Sequence, residues 1–169
     1  PADPQQGLAF DGRIAEDFKI DSGTWVSVGP LRAQIIAAGA PYLQDVVIAG
    51  HDRREVTALV IPHLDSCRKL CADLPAAAPL AQIAAHPAVR AVVQRVLDSL
   101  GRASTGAAPR VARAIVLDEL PSIDRGEITD KGSINQRAAL AHRAGLVESL
   151  YAEPPGPRVI IAQHEGAGP

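Results

Sequence analysis

The sequence has no methionine, and aromatic residues make up only 3% of its 169 residues. So few aromatic rings provide no platform on which nucleic-acid bases could stack. No apolar run approaches the roughly 20 residues that a membrane-spanning helix needs. The N-terminus, PADPQQG, has neither the charged head nor the apolar centre of a signal peptide. Because methionine is missing even at position 1, we expect the chain to be a piece of a longer polypeptide.

Cysteine is also scarce, and the charges are balanced. Two cysteines cannot build a disulfide framework, so the reducing cytoplasm is the expected location. The 17 basic and 19 acidic residues give a net charge of −2, which argues against a nucleic-acid partner. With no long apolar run, a membrane partner is not expected either. A length of 169 residues and a hydrophobic content of 47% suit one compact domain or a little more than one.

The spacing of apolar residues alternates along the chain between strand-like and helix-like patterns. Residues 7–28 alternate in short runs punctuated by glycines, which predicts small antiparallel strands. The runs YLQDVVIAG and EVTALVIPH, joined by HDRR, predict a hairpin, and VARAIVLDEL predicts a further buried strand. The fold class predicted is α+β: a small, mainly antiparallel sheet with an N-terminal two-stranded hairpin, flanked by helices.

Helices are predicted between and after these strands. Asp65 is a suitable N-cap for a helix that follows the predicted hairpin. The strongest helical pattern begins at Pro87, and Gly101 stands where a C-terminal cap belongs. Ser133 and Gln136 have the spacing of a capping box, which predicts the start of the last helix.

Two motifs suggest chemistry and are rejected. GRASTG has the glycine spacing of a phosphate loop, but the lysine that would pair with phosphate is missing, and a helix precedes it rather than a strand. His63, Cys67 and Cys71 stand four residues apart, as metal ligands on a helix could. Both cysteines coincide with the apolar face of that helix, and no fourth ligand is suitably spaced. We therefore interpret the cysteines as core residues and predict no metal site.

Lys131 is the most distinctive candidate residue. It lies in the polar segment GEITDKGSIN between a predicted strand and a predicted helix, flanked by Gly126 and Gly132. Most lysines in such loops are simply solvated. A compact positive charge at the tip of a loop is nevertheless suited to a phosphate or carboxylate that arrives from elsewhere.

Three segments together resemble a known family. DGRIAEDFKIDSGTWVSVGPLR resembles the hinge-and-strand motif that opens the C-terminal domain of AMP-forming, adenylate-forming enzymes. QDVVIAGHDRREVTALVIP resembles the central strand pair of that domain, and PSIDRGEITDKGSINQR resembles the lysine motif near its end. The sequences of these motifs most resemble those of feruloyl-CoA synthases and related acyl-CoA synthetases. The resemblance covers residues 7 to about 151.

This resemblance implies a two-step reaction in which the small domain rotates. ATP and a carboxylic acid first give an acyl-adenylate and pyrophosphate, and coenzyme A then attacks the adenylate to give a thioester and AMP. It implies that Lys131 is the catalytic lysine of the first step and that Arg13 lies near the ribose of the nucleotide. The hinge would fall on Ala15, with Glu16 and Asp17 beside it.

The same resemblance assigns the hairpin to the second step. After rotation, Lys19 would move into the site. The segment formed by Gly23, Thr24 and Trp25 would then line the path of coenzyme A. One pocket could thus serve both half-reactions, with the rotation as the switch.

The predicted domain organisation is that of an excised lid. Residues 1–152 form the C-terminal domain, with 1–6 as a linker and 75–108 as a helical elaboration, and residues 153–169 form a Pro/Gly-rich tail. The expected partner is an N-terminal domain of the same polypeptide that binds ATP, Mg²⁺ and the acid, so the chain alone should be inactive. Two alternatives stay open: a domain that loads a carrier protein instead of coenzyme A, and a non-catalytic α+β binding module.

Overall fold

A computed structural model describes residues 16–103 and 110–163 of the chain. It begins with a two-stranded antiparallel hairpin, β1 (Phe18–Lys19) and β2 (Trp25–Val26). The other elements are, in chain order, α1 (Val28–Gly39), β3 (Leu43–Ala49), β4 (Val56–Pro62), α2 (Leu64–Leu70), α3 (Leu80–Ala85), α4 (Pro87–Ala103), β5 (Val111–Val116), α5 (Gln136–His142), α6 (Ala144–Leu150) and β6 (Ile160–Ile161). The predicted α+β class, with its N-terminal hairpin and flanking helices, is confirmed.

The larger sheet has four strands in the order β3-β4-β5-β6. β4 pairs antiparallel with β3 and parallel with β5, and β6 pairs antiparallel with β5. Every residue of the central strand β4 is buried. A strand covered on both faces has no polar alternation, which is why VTALVIP is almost entirely apolar.

Helices cover both faces of this sheet and create two cores. On one face α1 and α4 pack against the strands, and α4 contributes Val89, Val93 and Val96 to that core. On the other face the short helices α5 and α6 cover a smaller core that includes Leu59 and Leu150. The three- and four-residue spacing of apolar positions in α4 therefore reflects its buried side.

Two predicted helix boundaries are wrong. His63, not Asp65, is the N-cap of α2, and its ring nitrogen accepts a hydrogen bond from Ser66 N. Strand β4 runs to Pro62, so the chain turns into the helix at His63, two residues before the predicted cap residue Asp65. Gly101 lies inside α4, which continues to Ala103, so it does not end the helix.

The predicted capping box at the last helix is also wrong. Asn135 is the N-cap of α5, and its side-chain oxygen accepts a hydrogen bond from Ala138 N. Ser133 instead bonds within the preceding loop, and Gln136 is buried. The helical pattern beyond it is split at Arg143, which ends α5 and precedes α6.

The segment after α6 is attached to the sheet through Tyr151. The buried phenol donates a hydrogen bond to Glu55 O at 2.8 Å and accepts one from Thr57 Oγ1 at 3.1 Å. The guanidinium of Arg53 lies 4.5 Å from the centre of the same ring. These contacts bring the chain back to the sheet, where β6 pairs with β5.

Candidate functional site

The N-terminal hairpin carries four of the predicted site residues. Lys19 is exposed, and its carbonyl accepts a hydrogen bond from Asp52 N in the β3–β4 turn at 3.0 Å. Gly23 has a φ of +91°, the left-handed conformation that favours glycine in a tight turn. Thr24 Oγ1 lies 3.0 Å from Ser22 Oγ in that turn. The conformation of the hairpin backbone is therefore held by its own turn and by its hydrogen bond to the β3–β4 turn.

Trp25 is the exposed aromatic residue of this hairpin, with 51% of its surface accessible. The next residue, Val26, is fully buried, because successive side chains of a strand point to opposite faces. The strand thus anchors itself through Val26 and presents the indole to solvent.

The predicted hinge lies at the edge of the described residues. Asp17 Oδ1 accepts a hydrogen bond from Val28 N, the first amide of α1, at 2.9 Å. A carboxylate at this position stabilises a helix N-terminus, and Ser27, the formal N-cap, makes no such side-chain bond. Asp17 is thereby bound to the body of the domain. Arg13 and Ala15 lie outside the described residues.

The hinge segment shares a cavity with the start of α5. The cavity has a volume of about 300 Å³, and its walls include Glu16 and Asp17 from the hinge and Gln136 and Arg137 from α5. The helix that follows the Lys131 loop therefore begins beside the predicted hinge. The hinge thus lies beside the start of α5, and the backbone of Lys19 contacts the β3–β4 turn.

Lys131 lies at the tip of a closed loop. Ile128 and Ile134 form an antiparallel bridge across the loop, and Thr129 N donates to Ser133 O at 2.8 Å. The hydroxyls of Thr129 and Ser133 lie 2.9 Å apart. Gly132 has a φ of +86°, so it forms the turn that closes the loop. The lysine side chain is exposed beyond these contacts.

A buried ion pair holds the base of this loop. Arg143 Nε donates to Glu127 Oε2 at 2.8 Å, and its second nitrogen, Nη2, donates to Oε1 at 3.3 Å. Glu127 is fully buried and Arg143 is 6% exposed. Burial alone would raise the pKa of Glu127, but the hydrogen bonds from Arg143 and Ser122 N outweigh it and hold that pKa below its ordinary value. The carboxylate is therefore ionised at neutral pH.

The other end of the loop is held by Gln136. Its Oε1 accepts a hydrogen bond from Ile48 N at 2.9 Å, and its Nε2 donates to Val46 O at 3.0 Å. β3 is an edge strand of the four-stranded sheet, and the amide supplies partners for two of its outward backbone groups. This side chain joins the start of α5 to the sheet.

Sequence reasoning missed Glu127, Arg143 and Gln136. Glu127 stands between a glycine and an isoleucine in a polar segment, where most acids are solvated. Gln136 has the spacing of a capping residue, which gave it the wrong role. The sequence offered one signal, a charged or amide side chain beside apolar residues at each end of the loop. Nothing in the sequence identified the partners of these side chains.

The described residues contain no group of three His, Cys, Asp or Glu side chains that could hold a metal ion. Within the same ranges, no helix has the length and apolar character needed to cross a bilayer. Cys67 and Cys71 are both buried free thiols. Burial and the neighbouring Cys71 raise the pKa of Cys67 to about 11, so its nucleophilic thiolate is scarce at neutral pH.

Neither a protein-family profile nor a curated protein sequence matches the chain. Solved structures of adenylation domains do share its fold. The A domain of carboxylic acid reductase from Segniliparus rugosus, in complex with AMP and a co-purified carboxylic acid, aligns with a TM-score of 0.60 and 20% identity over 83% of this chain and 20% of that chain. The A-PCP didomain of that reductase, in complex with AMP, gives 0.58 and 20% over 81% of this chain and 17% of the other.

A third structure is the adenylation domain of the carboxylate reductase from Mycobacterium chelonae, with a TM-score of 0.57 and 22% identity over 82% of this chain and 20% of that chain. This chain thus spans about a fifth of the length of the proteins it resembles. At these identities the similarity establishes the fold. The chain therefore has the fold that the resemblance implied, while adenylate formation and the use of coenzyme A stay predictions.

Proposed function

We propose that this chain is the C-terminal domain of an ATP-dependent, AMP-forming acid–thiol ligase, with Lys131 as the catalytic lysine of adenylation. The observation that carries the proposal is an exposed lysine at the tip of a loop that a buried ion pair anchors. That loop belongs to a chain whose fold matches part of adenylation domains solved with AMP. The isolated chain should be inactive.

The chemical role follows from the charges of the first half-reaction. ATP and a carboxylate are both anions, and charge shifts towards the pyrophosphate oxygens as the adenylate forms. A lysine held in place beside the carboxylate and the α-phosphate stabilises that distribution without reorganising at the moment of reaction. The hydrogen bonds that close the loop around Lys131 are made by Thr129, Gly132 and Ser133, so the loop holds its own shape while the lysine side chain stays exposed.

The second half-reaction is assigned to the hairpin. Rotation about Ala15, Glu16 or Asp17 would replace the Lys131 loop with Lys19 and the exposed Trp25. A flat indole beside a turn with little side-chain bulk can form one wall of a narrow channel for the pantetheine arm. Arg13 would contact the ribose.

The test uses the longer polypeptide that joins this chain to an adenylating domain. Lys131→Ala should lower ATP–pyrophosphate exchange by roughly a hundredfold or more. The same variant, supplied with acyl-adenylate and coenzyme A, should form thioester at a near-normal rate. Lys19→Ala should show the opposite pattern.

The chain provides a matched control, because it contains only three lysines. Lys69 is exposed on α2, so Lys69→Ala removes the same charge at a site without a proposed role. It should leave both half-reactions unchanged. Normal adenylation by Lys131→Ala would contradict the proposal. Loss of the same half-reaction in Lys131→Ala and Lys19→Ala would also contradict it and would favour a non-catalytic binding module.

We further propose that the enzyme is a feruloyl-CoA synthase-like ligase for an aryl or hydroxycinnamic acid, because the sequences of its motifs resemble those of feruloyl-CoA synthases. A carrier protein is the second candidate acceptor, since one of the similar structures is an A-PCP didomain. Assaying the longer enzyme with ferulate, benzoate and a fatty acid, each with either coenzyme A or a phosphopantetheinylated carrier, distinguishes these options. Thioester formation only on the carrier would exclude the coenzyme A ligase.

A further inference from the structure

Buried polar side chains are concentrated around the Lys131 loop. Four polar or charged residues are buried among the described residues, and three of them, Glu127, Gln136 and Arg143, hold the two ends of this loop. We propose that Glu127 and Arg143 are positioning residues for Lys131. Their ion pair fixes where the lysine stands relative to the domain, and this inference rests on the proposed function of Lys131.

Glu127 joins three separate segments of the chain. Its carboxylate takes two hydrogen bonds from Arg143, which stands between α5 and α6. Oε1 also accepts from Ser122 N at 3.0 Å, ahead of the loop. Its carbonyl accepts from Asn135 N at 2.8 Å, where the loop ends. One residue thereby closes the base of the loop and connects it to the helices behind.

The placement of this pair is better explained by geometry than by stability. Removing two charges from water is costly, and apolar replacements of a buried pair are often equally stable or more so. What a bidentate Arg–carboxylate contact adds is a fixed direction, because both groups are planar. Fixed geometry at the base of a loop matters when the tip carries a group that must meet a substrate.

Release of the base of the loop would displace Lys131 from its position for catalysis. A displacement of about 1 Å in a reacting or charge-stabilising group can lower a rate by a hundredfold. If the base of the loop were released, Lys131 would sample more positions and would occupy the productive one less often. Glu127 would then affect the reaction only through Lys131.

The first readout tests the loop and needs no activity. In the 169-residue chain, Glu127→Gln should speed amide hydrogen exchange at Thr129 and Gly132 by about tenfold or more, since both amides are bonded across the loop. Asp45→Asn is the matched control, because Asp45 also holds a bidentate arginine, Arg32, and a backbone amide. It should leave the exchange of these loop amides unchanged. Unchanged exchange in Glu127→Gln would overturn the positioning role without affecting the proposed function.

The second readout separates the half-reactions in the longer enzyme. Glu127→Gln should lower adenylation at saturating substrate by about tenfold to a hundredfold and leave thioester formation from supplied adenylate within about twofold. Combined with Lys131→Ala, it should lower adenylation no further than Lys131→Ala alone, because both changes remove the same contribution. A double variant that falls by the product of the two single effects would overturn the inference. So would an equal loss in Asp45→Asn.

A further variant separates positioning from folding. Glu127→Met with Arg143→Met removes both buried charges, so it should fold even if the single variants do not. Adenylation should stay reduced by about tenfold or more, because the bond to Ser122 and the bidentate contact are gone. Recovery to the unmodified rate would show that the geometry of the pair is not required. Normal adenylation in Lys131→Ala alone would instead identify a failure of the proposed function.

Discussion

Gln136 offers the sharpest test of how the fold is held around the candidate site. Its amide bonds Ile48 N and Val46 O of the edge strand β3 at 2.9 and 3.0 Å, and both residues are at most 1% exposed. Gln136→Leu keeps the volume but removes both partners. Each orphaned backbone group costs about 1–3 kcal/mol, so for the two groups we expect a loss of about 2–6 kcal/mol in the free energy of unfolding.

Gln136→Glu tests the same contacts through pH. A carboxyl group at this position can accept from Ile48 N in either state, but only its protonated form can donate to Val46 O. Burial and this donor requirement both raise its pKa in the folded protein above the ordinary value of about 4.3. The unfolded chain then ionises first, so stability is lost as pH rises from about 4 towards the folded pKa.

The assay is urea-induced unfolding of the 169-residue chain at pH 4 and pH 7, compared with the unmodified protein at each pH. Gln136→Glu should be near the unmodified stability at pH 4 and clearly below it at pH 7. Gln82→Glu is the matched control, because Gln82 is exposed on α3 and should show little difference at either pH. A Gln136→Leu variant within about 0.5 kcal/mol of the unmodified protein would refute the reasoning, since that is the usual range for surface changes.

Three further outcomes are expected. The raised pKa of Cys67, about 11, should make its alkylation by iodoacetamide at pH 8 about a hundredfold slower than in urea, as measured by mass spectrometry. Because that thiol ionises first in the unfolded chain, the free energy of unfolding should also fall as pH rises from about 9. Rapid alkylation of the folded protein at pH 8 would contradict the burial of Cys67. Tyr151→Phe removes both hydrogen bonds of the phenol and should cost about 1–3 kcal/mol in urea unfolding, while an unchanged midpoint would mean that water replaces them. Gly132→Ala should lower stability by about 1 kcal/mol because its φ is +86°, whereas Gly145→Ala, in helix α6 without such a φ, should raise it by about 0.5 kcal/mol.

Much of the fold could be predicted because its signals are local. The β3–β4 hairpin was predicted from two apolar runs around a polar turn, and α4 from the three- and four-residue spacing of its buried positions. Helix boundaries were less predictable. His63 caps α2 in place of Asp65, since the end of β4 fixes where the chain turns. Either residue type can accept the bond, so the sequence alone does not decide.

The candidate site divides in the same way. Lys131 could be found in the sequence because a lone lysine between turn-forming residues is a local feature. The ion pair between Glu127 and Arg143 could not, because a carboxylate in a polar segment is usually solvated and its partner lies 16 positions away. The burial of both groups depends on how α5 and α6 cover the sheet.

The sequence by itself determined the alternation of strands and helices, the exposed lysine and the turn that presents it. Each depends on residues within a few positions of one another, where periodic burial and backbone preference act directly. The tertiary structure decided which polar groups are buried and what they bond. Gln136 meets Val46 across 90 positions of the chain, and only the packing of α5 against the edge of the sheet brings that donor to that carbonyl. A buried polar group is stable only with its partner in place, and the partner is defined by the closed fold rather than by neighbouring residues.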